Sequence, residues 1–229
     1  MGPSDVDVII LCGGLGTRLR RVSGEVQKTM VEIKGKPFLE IVYDSVRPYG
    51  FQNFIFCTGY KGDSIRAYFS EKDKNIIFSQ EREPLGTAGA LKNSAPFIQN
   101  DTLLVLNGDS FCSVDLRDLL DFHARSGGNA TLCVVPARSR MDGGYIKANQ
   151  KNQILSFREK EYEPGLYINA GVYAFKRRIL DRIPEGRASL ENDVFPFLSE
   201  REAYAYIASE TLVDIGTPDR LNTFIMEGA

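Results

Sequence analysis

Short apolar runs of strand length alternate with segments of helical spacing through the first two thirds of the chain, and this alternation constrains the fold more than any other feature. Val6–Leu11 is a continuous apolar run after a polar start, ended by Gly13-Gly14. Further strand-like runs fall at 54–57, 76–78, 103–106 and 131–135. Between them, 37–49 carries Phe38, Ile41, Val42, Ser45 and Val46 at helical spacing, with Gly50 as its stop. Shorter helices are expected at 63–69 and at 87–95, the latter ended by Pro96. Asp115 caps a helix running to about Arg125, which Gly127-Gly128 terminates. Continuously apolar strands separated by helices imply an α/β fold with a mostly parallel sheet covered on both faces. Ligands of such sheets bind beyond the carboxyl ends of the strands, where the loops after Leu11 and Leu106 lie.

The last third changes style. Strands are expected at 145–148, 154–157 and 168–175, forming a β-rich insertion or lid, and helices at 189–199 and 217–226. The 229 residues show no internal repeat and no low-complexity linker. They are read as one domain, with about 1–136 and about 137–229 as its two parts.

A net charge of −2 offers no electrostatic footprint for nucleic acid or an acidic membrane. No apolar run approaches the ~18 residues of a membrane span. No basic stretch opens the sequence, so a signal peptide is not expected. Cys12, Cys57, Cys112 and Cys133 include no Cys-x-x-Cys pair and read as buried free thiols, which places the chain in the reducing cytoplasm. His123, the one histidine, lies near a helix end and reads as a surface or C-terminal helix residue rather than a catalyst.

The chemistry concentrates at the glycines after the first strand, Cys12-Gly13-Gly14-Leu15-Gly16-Thr17-Arg18-Leu19. Glycine there lets backbone N–H groups approach a polyphosphate. Arg18 is placed to reach phosphate, and Lys28 follows ten residues on. No Gly-Lys-Ser/Thr closes the loop, so it is not a P-loop, and its glycines lack dinucleotide-fingerprint spacing.

Gly-Gly-x-Gly-Thr-Arg-Leu, a following lysine and Gly35-Lys36-Pro37 resemble the signature of sugar-1-phosphate nucleotidyltransferases. The pattern usually has proline before that lysine, where this chain has Gln27. The resemblance covers nearly the whole chain. It implies a Rossmann-like three-layer α/β/α architecture, the nucleotide-diphospho-sugar transferase fold, with a β-rich sugar-binding insertion. It also implies a cytoplasmic enzyme that joins a sugar 1-phosphate to a nucleoside triphosphate with Mg²⁺ and releases pyrophosphate.

By this resemblance Leu11, Gly13, Gly14, Gly16, Thr17 and Arg18 hold the nucleotide. Ser79-Gln80-Glu81-Arg82-Glu83-Pro84-Leu85-Gly86-Thr87-Ala88-Gly89-Ala90-Leu91 resembles the base- and sugar-reading segment, with Glu81, Gly86 and Thr87 at the nucleotide and the helix N-terminus facing ligand. Glu81 would accept from the N1–H and N2–H₂ groups of guanine. Asp109 and Asp214 would share the metal, since Mg²⁺ takes oxygen ligands from one or two carboxylates plus phosphates. Asn107, Gly144, Glu159, Lys160, Asn169 and Glu191 would meet the sugar phosphate. Asp142-Gly143-Gly144-Tyr145 replaces the family's common Arg-Tyr-Gly, leaving a backbone contact at Gly144.

The implied reaction is attack of the sugar-phosphate oxygen on the α-phosphorus. The nucleophile is already anionic near neutrality, with a second pKa near ~6, so no general base is needed. Arg18, Lys28 and Asp109 then carry the catalysis by meeting accumulating charge. The strongest likeness is to guanylyltransferases for D-glycero-α-D-manno-heptose 1-phosphate, with GTP as donor. Mannose-1-phosphate guanylyltransferases come next, then uridylyl- and thymidylyltransferases. A metal-dependent glycosyltransferase would more typically show Asp-x-Asp where Asn107-Gly108-Asp109 stands. A non-catalytic sugar-nucleotide sensor would be expected to lack Arg18, Lys28 or an aspartate. A homodimer through the β-rich last third remains one option.

Overall fold

The computed structural model describes residues 2–14, 26–137, 144–159, 163–209 and 212–215, with the backbone alone of 159 and 214. In chain order the strands are β1 (Val6–Leu11), β2 (Glu32–Ile33), β3 (Lys36–Pro37), β4 (Asn53–Thr58), β5 (Ile76–Gln80), β6 (Thr102–Asn107) and β7 (Ser110–Cys112). They continue as β8 (Ala130–Pro136), β9 (Gly144–Ala148), β10 (Ile154–Glu159), β11 (Tyr167–Lys176), β12 (Ala203–Ile207) and β13 (Leu212–Asp214). The α-helices are α1 (Phe38–Val46), α2 (Gly62–Lys72), α3 (Gly86–Asn93) and α4 (Leu116–Ser126).

Nine strands share one sheet. β5, β4, β1 and β6 run parallel in that order, and β11 joins the far side of β6 antiparallel. β8 pairs with β11 and β12 with β8, while the β9–β10 hairpin attaches to the first residues of β11. The expected mixed, mostly parallel sheet is therefore present. Its β-rich last third is stitched into the same sheet through β11.

The chain proceeds from β1 to β4 and β5 on one side, then returns to place β6 on the other side of β1. That reversal opens a crevice at the carboxyl ends of β1 and β6. Leu11 and Asn107, the last residues of the two strands, are register partners.

Alternation of side chains along β1 builds a layer on each face. Val6, Val8 and Ile10 join the core containing Phe38, Leu39, Val42, Tyr43 and Val46 of α1, Ile65 and Phe69 of α2, and Leu116, Leu119 and Leu120 of α4. Ile9 points into a second core with Ala88, Ala90 and Leu91 of α3, together with Leu190 and Phe195. Burying each large apolar side chain contributes roughly 1.5–3 kcal/mol.

A charge interrupts β1. Asp7 is fully buried, and its carboxylate accepts from Gln99 N (2.6 Å), Asn100 N (2.9 Å), Asn100 Nδ2 (2.7 Å) and Asn53 Nδ2 (2.9 Å). It thereby ties the turn before β6 and the start of β4 to the central strand, at the end opposite the crevice.

Helix signals read from sequence hold where the chemistry is local. Asp115 caps α4 by accepting from Arg117 N and Asp118 N, and Gly127 ends it at φ +72°. α1 gives way to a 3-10 turn at Arg47–Tyr49, where Pro48 removes a donor, and Gly50 closes it at φ +81°. All four cysteines are free and buried.

Two expectations are corrected. Of the two readings offered for His123, the helix end holds and the surface does not: it lies in the last turn of α4 but is 1% exposed, with Nδ1 2.8 Å from Thr131 Oγ1, and burial lowers its pKa to about 4. The helix expected at 189–199 is a π turn, Leu190–Val194, followed by a 3-10 turn, Phe195–Phe197. Pro196 lacks an N–H and its ring crowds the carbonyl four residues back, so a continuous α ladder cannot form. The helix expected at 217–226 lies outside the described residues. No helix among the described residues is long and apolar enough to cross a membrane.

Candidate active site

A cavity of about 600 Å³ opens at the carboxyl ends of β1 and β6. Leu11, Gly13, Gly14, Lys28, Glu81, Gly86, Thr87, Asn107, Asp109 and Glu191, all singled out in the sequence, line it. They come from both parts of the chain.

The glycines fit close approach at Gly13. A Cβ there would lie 3.1 Å from both Glu81 Oε1 and the backbone N of Gly59. The carboxylate of Glu81 thus rests over bare backbone at the base of the cavity. Its Oε2 accepts from Leu85 N at 3.1 Å. Half-burial raises the Glu81 pKa above the ordinary carboxylate value, with the Leu85 hydrogen bond opposing.

Asp109 follows β6 in the turn to β7. Its Oδ2 receives the ammonium of Lys28 at 2.5 Å, so the two groups neutralise each other in this structure. The β7–β13 pair brings Asp214 opposite Ser110, and Ile215 N donates to the carbonyl of Asp109 at 3.2 Å. The backbones of the two aspartates therefore run side by side at one rim, while the side chain of Asp214 lies outside the described residues. Among the described residues no three His, Cys, Asp or Glu side chains cluster to cage a metal. A hard cation that borrows one or two carboxylates and completes its shell with substrate oxygens suits this rim.

The opposite wall is built by a strap, residues 186–191. Ala188 O accepts from Ala88 N (3.0 Å) and Gly89 N (3.1 Å), and Ala188 N donates to Leu85 O (2.8 Å). The strap carbonyl thus takes the N–H groups of Ala88 and Gly89, while Gly86 and Thr87, the first two residues of α3, line the cavity. It also explains Gly86, which sits at φ +74° where a Cβ would collide with Ala188 O. Thr87 donates to Glu191 Oε2 (2.9 Å) and accepts from Leu190 N (2.8 Å), so its hydroxyl locks the strap. Ser189 donates to the same Glu191 oxygen at 2.8 Å.

At the floor, Asn107 Oδ1 and Ser110 Oγ are buried without a hydrogen-bond partner. Gly171, at φ +74° in a bulge of β11, makes room for both, since a Cβ would collide with Ser110 Oγ. Asn169 lies outside the cavity wall and braces this bulge: Oδ1 accepts from Gly171 N (3.1 Å) and Nδ2 donates to Tyr173 OH (2.8 Å). Gly144 also lies away from the cavity, packed against the Phe157 ring, where a Cβ would come within 3.3 Å of several ring atoms. Gly16, Thr17, Arg18, Lys160 and the Glu159 side chain lie outside the described residues.

Six lining residues escape the sequence reading as site residues: Cys12, Gln27, Thr29, Pro84, Ala90 and Arg187. Cys12 is no nucleophile. Burial, then Cys57 and Glu81, hold its thiol well above its ordinary pKa and therefore protonated. Arg187 adds a cation on the strap.

The profile of the family described as Nucleotidyl transferase matches residues 7–227. A mannose-1-phosphate guanylyltransferase of Mycobacterium tuberculosis is 35% identical over 96% of this chain, which spans 63% of that relative. A D-glycero-alpha-D-manno-heptose 1-phosphate guanylyltransferase of Aneurinibacillus thermoaerophilus is 33% identical over 93% of this chain and 94% of the relative. Two crystal structures of HddC from Yersinia pseudotuberculosis, 30% identical, superpose over 96% of this chain and 98% of theirs. Their TM-scores are 0.85 and, for the complex with GMP-PN, 0.82.

Proposed function

The chain belongs to the nucleotidyl transferase family, and we infer that it transfers a guanylyl group from GTP to a sugar 1-phosphate, releasing pyrophosphate. The carrying observation is the Lys28–Asp109 pair at the mouth of the cavity, beside the glycine backbone that follows β1. The relatives support guanine as the base, and so does the GMP-PN complex of the HddC fold. Their named acceptors, mannose 1-phosphate and a manno-heptose 1-phosphate, share the manno ring. We take D-glycero-α-D-manno-heptose 1-phosphate as the acceptor, with mannose 1-phosphate as the alternative.

The reaction needs two polyanions to meet, so fixed positive charge carries it. Lys28 meets the transferring phosphoryl group, while Arg18 and Lys160 are assigned to the triphosphate and sugar phosphate. Glu81 accepts from the guanine edge. Asp109 and Asp214 would hold Mg²⁺, which when bound would neutralise oxygens of the α-phosphate. The uncommitted Asn107 Oδ1 and the Glu191 carboxylate face the acceptor sugar.

Incubating the enzyme with each of five nucleoside triphosphates against heptose, mannose, glucose and amino-sugar 1-phosphates, with pyrophosphate as readout, tests this reading. Turnover confined to GTP with a manno-configured acceptor is expected. Turnover with UTP or dTTP and not GTP overturns it.

Glu81 gives the base assignment its pH signature. Guanine reading requires the carboxylate, and burial raises its pKa. KM for GTP is therefore expected to rise as pH falls, beginning above the range of an ordinary glutamate. Glu81→Gln should raise KM at neutral pH and flatten that dependence. An unchanged KM profile in the variant would remove Glu81 from the base site.

A further inference from the structure

Gln27 stands where the sequence resemblance puts proline, and the structure shows what its side chain does instead. It is 2% exposed. Its Nε2 donates to the carbonyl of Cys12 at 2.6 Å. Its Oε1 accepts from Thr29 N at 2.7 Å and from Thr29 Oγ1 at 2.6 Å. Cys12 follows β1 and is itself fixed by donating its N–H to Cys57 O at 3.0 Å. Thr29 sits in the 3-10 turn, Lys28–Met30, that Gln27 caps. One amide therefore bridges the end of the central strand to the turn whose first residue is Lys28. It also ties Gln27 to the residue at which the chain leaves β1.

We propose that Gln27 is a positioning residue for phosphoryl transfer, its side-chain amide fixing the root of Lys28 against β1 so that the ammonium is presented to the phosphate at a set distance. This rests on the assignment of Lys28 above. A lysine carries about 2 kcal/mol of rotamer entropy. If its backbone root also wandered, the ammonium would spend little time at the reacting phosphate, and misplacement by about 1 Å can cost on the order of 10²-fold in rate. Proline could constrain the same place only through its fixed φ, near −65°. Gln27 already has φ −63°. The site thus admits a backbone lock in place of the side-chain lock.

The test compares wild type with Gln27→Ala, Gln27→Pro and Gln27→Glu by steady-state kinetics and by amide hydrogen exchange over residues 28–31. Gln27→Ala is expected to lower kcat by about ten- to a hundredfold. Its KM for GTP should stay within about threefold, and the Thr29 amide, having lost its acceptor, should exchange at least about tenfold faster. Gln27→Glu keeps that acceptor and sets a carboxylate against the Cys12 carbonyl, so its kcat should fall like that of the alanine variant while Thr29 stays protected. Gln27→Pro should recover most of the kcat lost in Gln27→Ala, a rescue that a purely structural role would not give.

Wild-type kcat in Gln27→Ala, an equal loss in KM and kcat, or no recovery with proline overturns the proposal. So does unchanged Thr29 exchange in Gln27→Ala. If the wild type turns over no nucleotide with any sugar phosphate, the activity assignment fails, and the exchange measurement still decides whether Gln27 holds the turn. Should Gln27→Ala fail to fold, the proline and glutamate variants carry the comparison.

Discussion

Lys28→Ala is expected to lower kcat by about 10²–10³-fold, the loss typical of removing one preorganised charge-stabilising donor, with KM for GTP changed only a few-fold. The reason is geometric. Lys28 is 15% exposed and held at 2.5 Å from Asp109, so its ammonium is already largely desolvated at the mouth of the cavity. Water replacing it would have to reorganise as charge accumulates in the transition state. The variant also strips Asp109 of its partner, so metal dependence should be measured alongside. A kcat within about threefold of wild type would end the assignment of Lys28 to the transferring group, and with it the central claim of the proposed mechanism.

The second large effect concerns stability. Asp7→Ala removes the acceptor for two backbone N–H groups, Gln99 and Asn100, and for the side-chain amides of Asn53 and Asn100. Each buried donor left unmade costs about 1–3 kcal/mol. A loss of about 4 kcal/mol follows, which for a chain of this size lowers Tm by roughly 8–16 °C. Asp7→Asn, which keeps the shape and one acceptor oxygen, should lose about half as much. Thermal unfolding checks both. A Tm within about 3 °C of wild type for Asp7→Ala would show that water or rearranged chain satisfies those donors at negligible cost.

The central sheet was legible because its signals are local and redundant. Val6–Leu11 and the run ending at Leu106 are apolar on both faces, as strands inside a covered parallel sheet must be. Asp115 and Gly127 announce both ends of α4 through side-chain capping and positive φ. The same reading passes over Asp7, which lies inside a run counted as apolar. A buried charge is recognisable only once its donors, over ninety residues away in sequence for Gln99 and Asn100, are in place.

Gly13, Lys28 and Asp109, which line the cavity, could be singled out because glycine, lysine and carboxylate are the residue types that phosphate and metal chemistry calls for. Gln27 and the strap at 186–188 could not. Gln27 acts through backbone partners, which every residue possesses. The strap works through the Ala188 peptide group, which leaves no mark on composition or periodicity. The helix expected at 189–199 failed for a different reason, since Ser189 gives a true cap signal and Pro196 then forbids the ladder it starts.

The antiparallel joint between β6 and β11 has a mechanical meaning. Val172 to Lys176 are in register with Leu106 to Thr102, directly behind the residues that end at Asn107. Pulling the acceptor side away from the donor side would mean shearing that whole backbone ladder. The two sides of the cavity are therefore joined by continuous backbone pairing rather than by a hinge. For the proposed transfer, the spacing between its two phosphates would be set by the weave of the strands themselves.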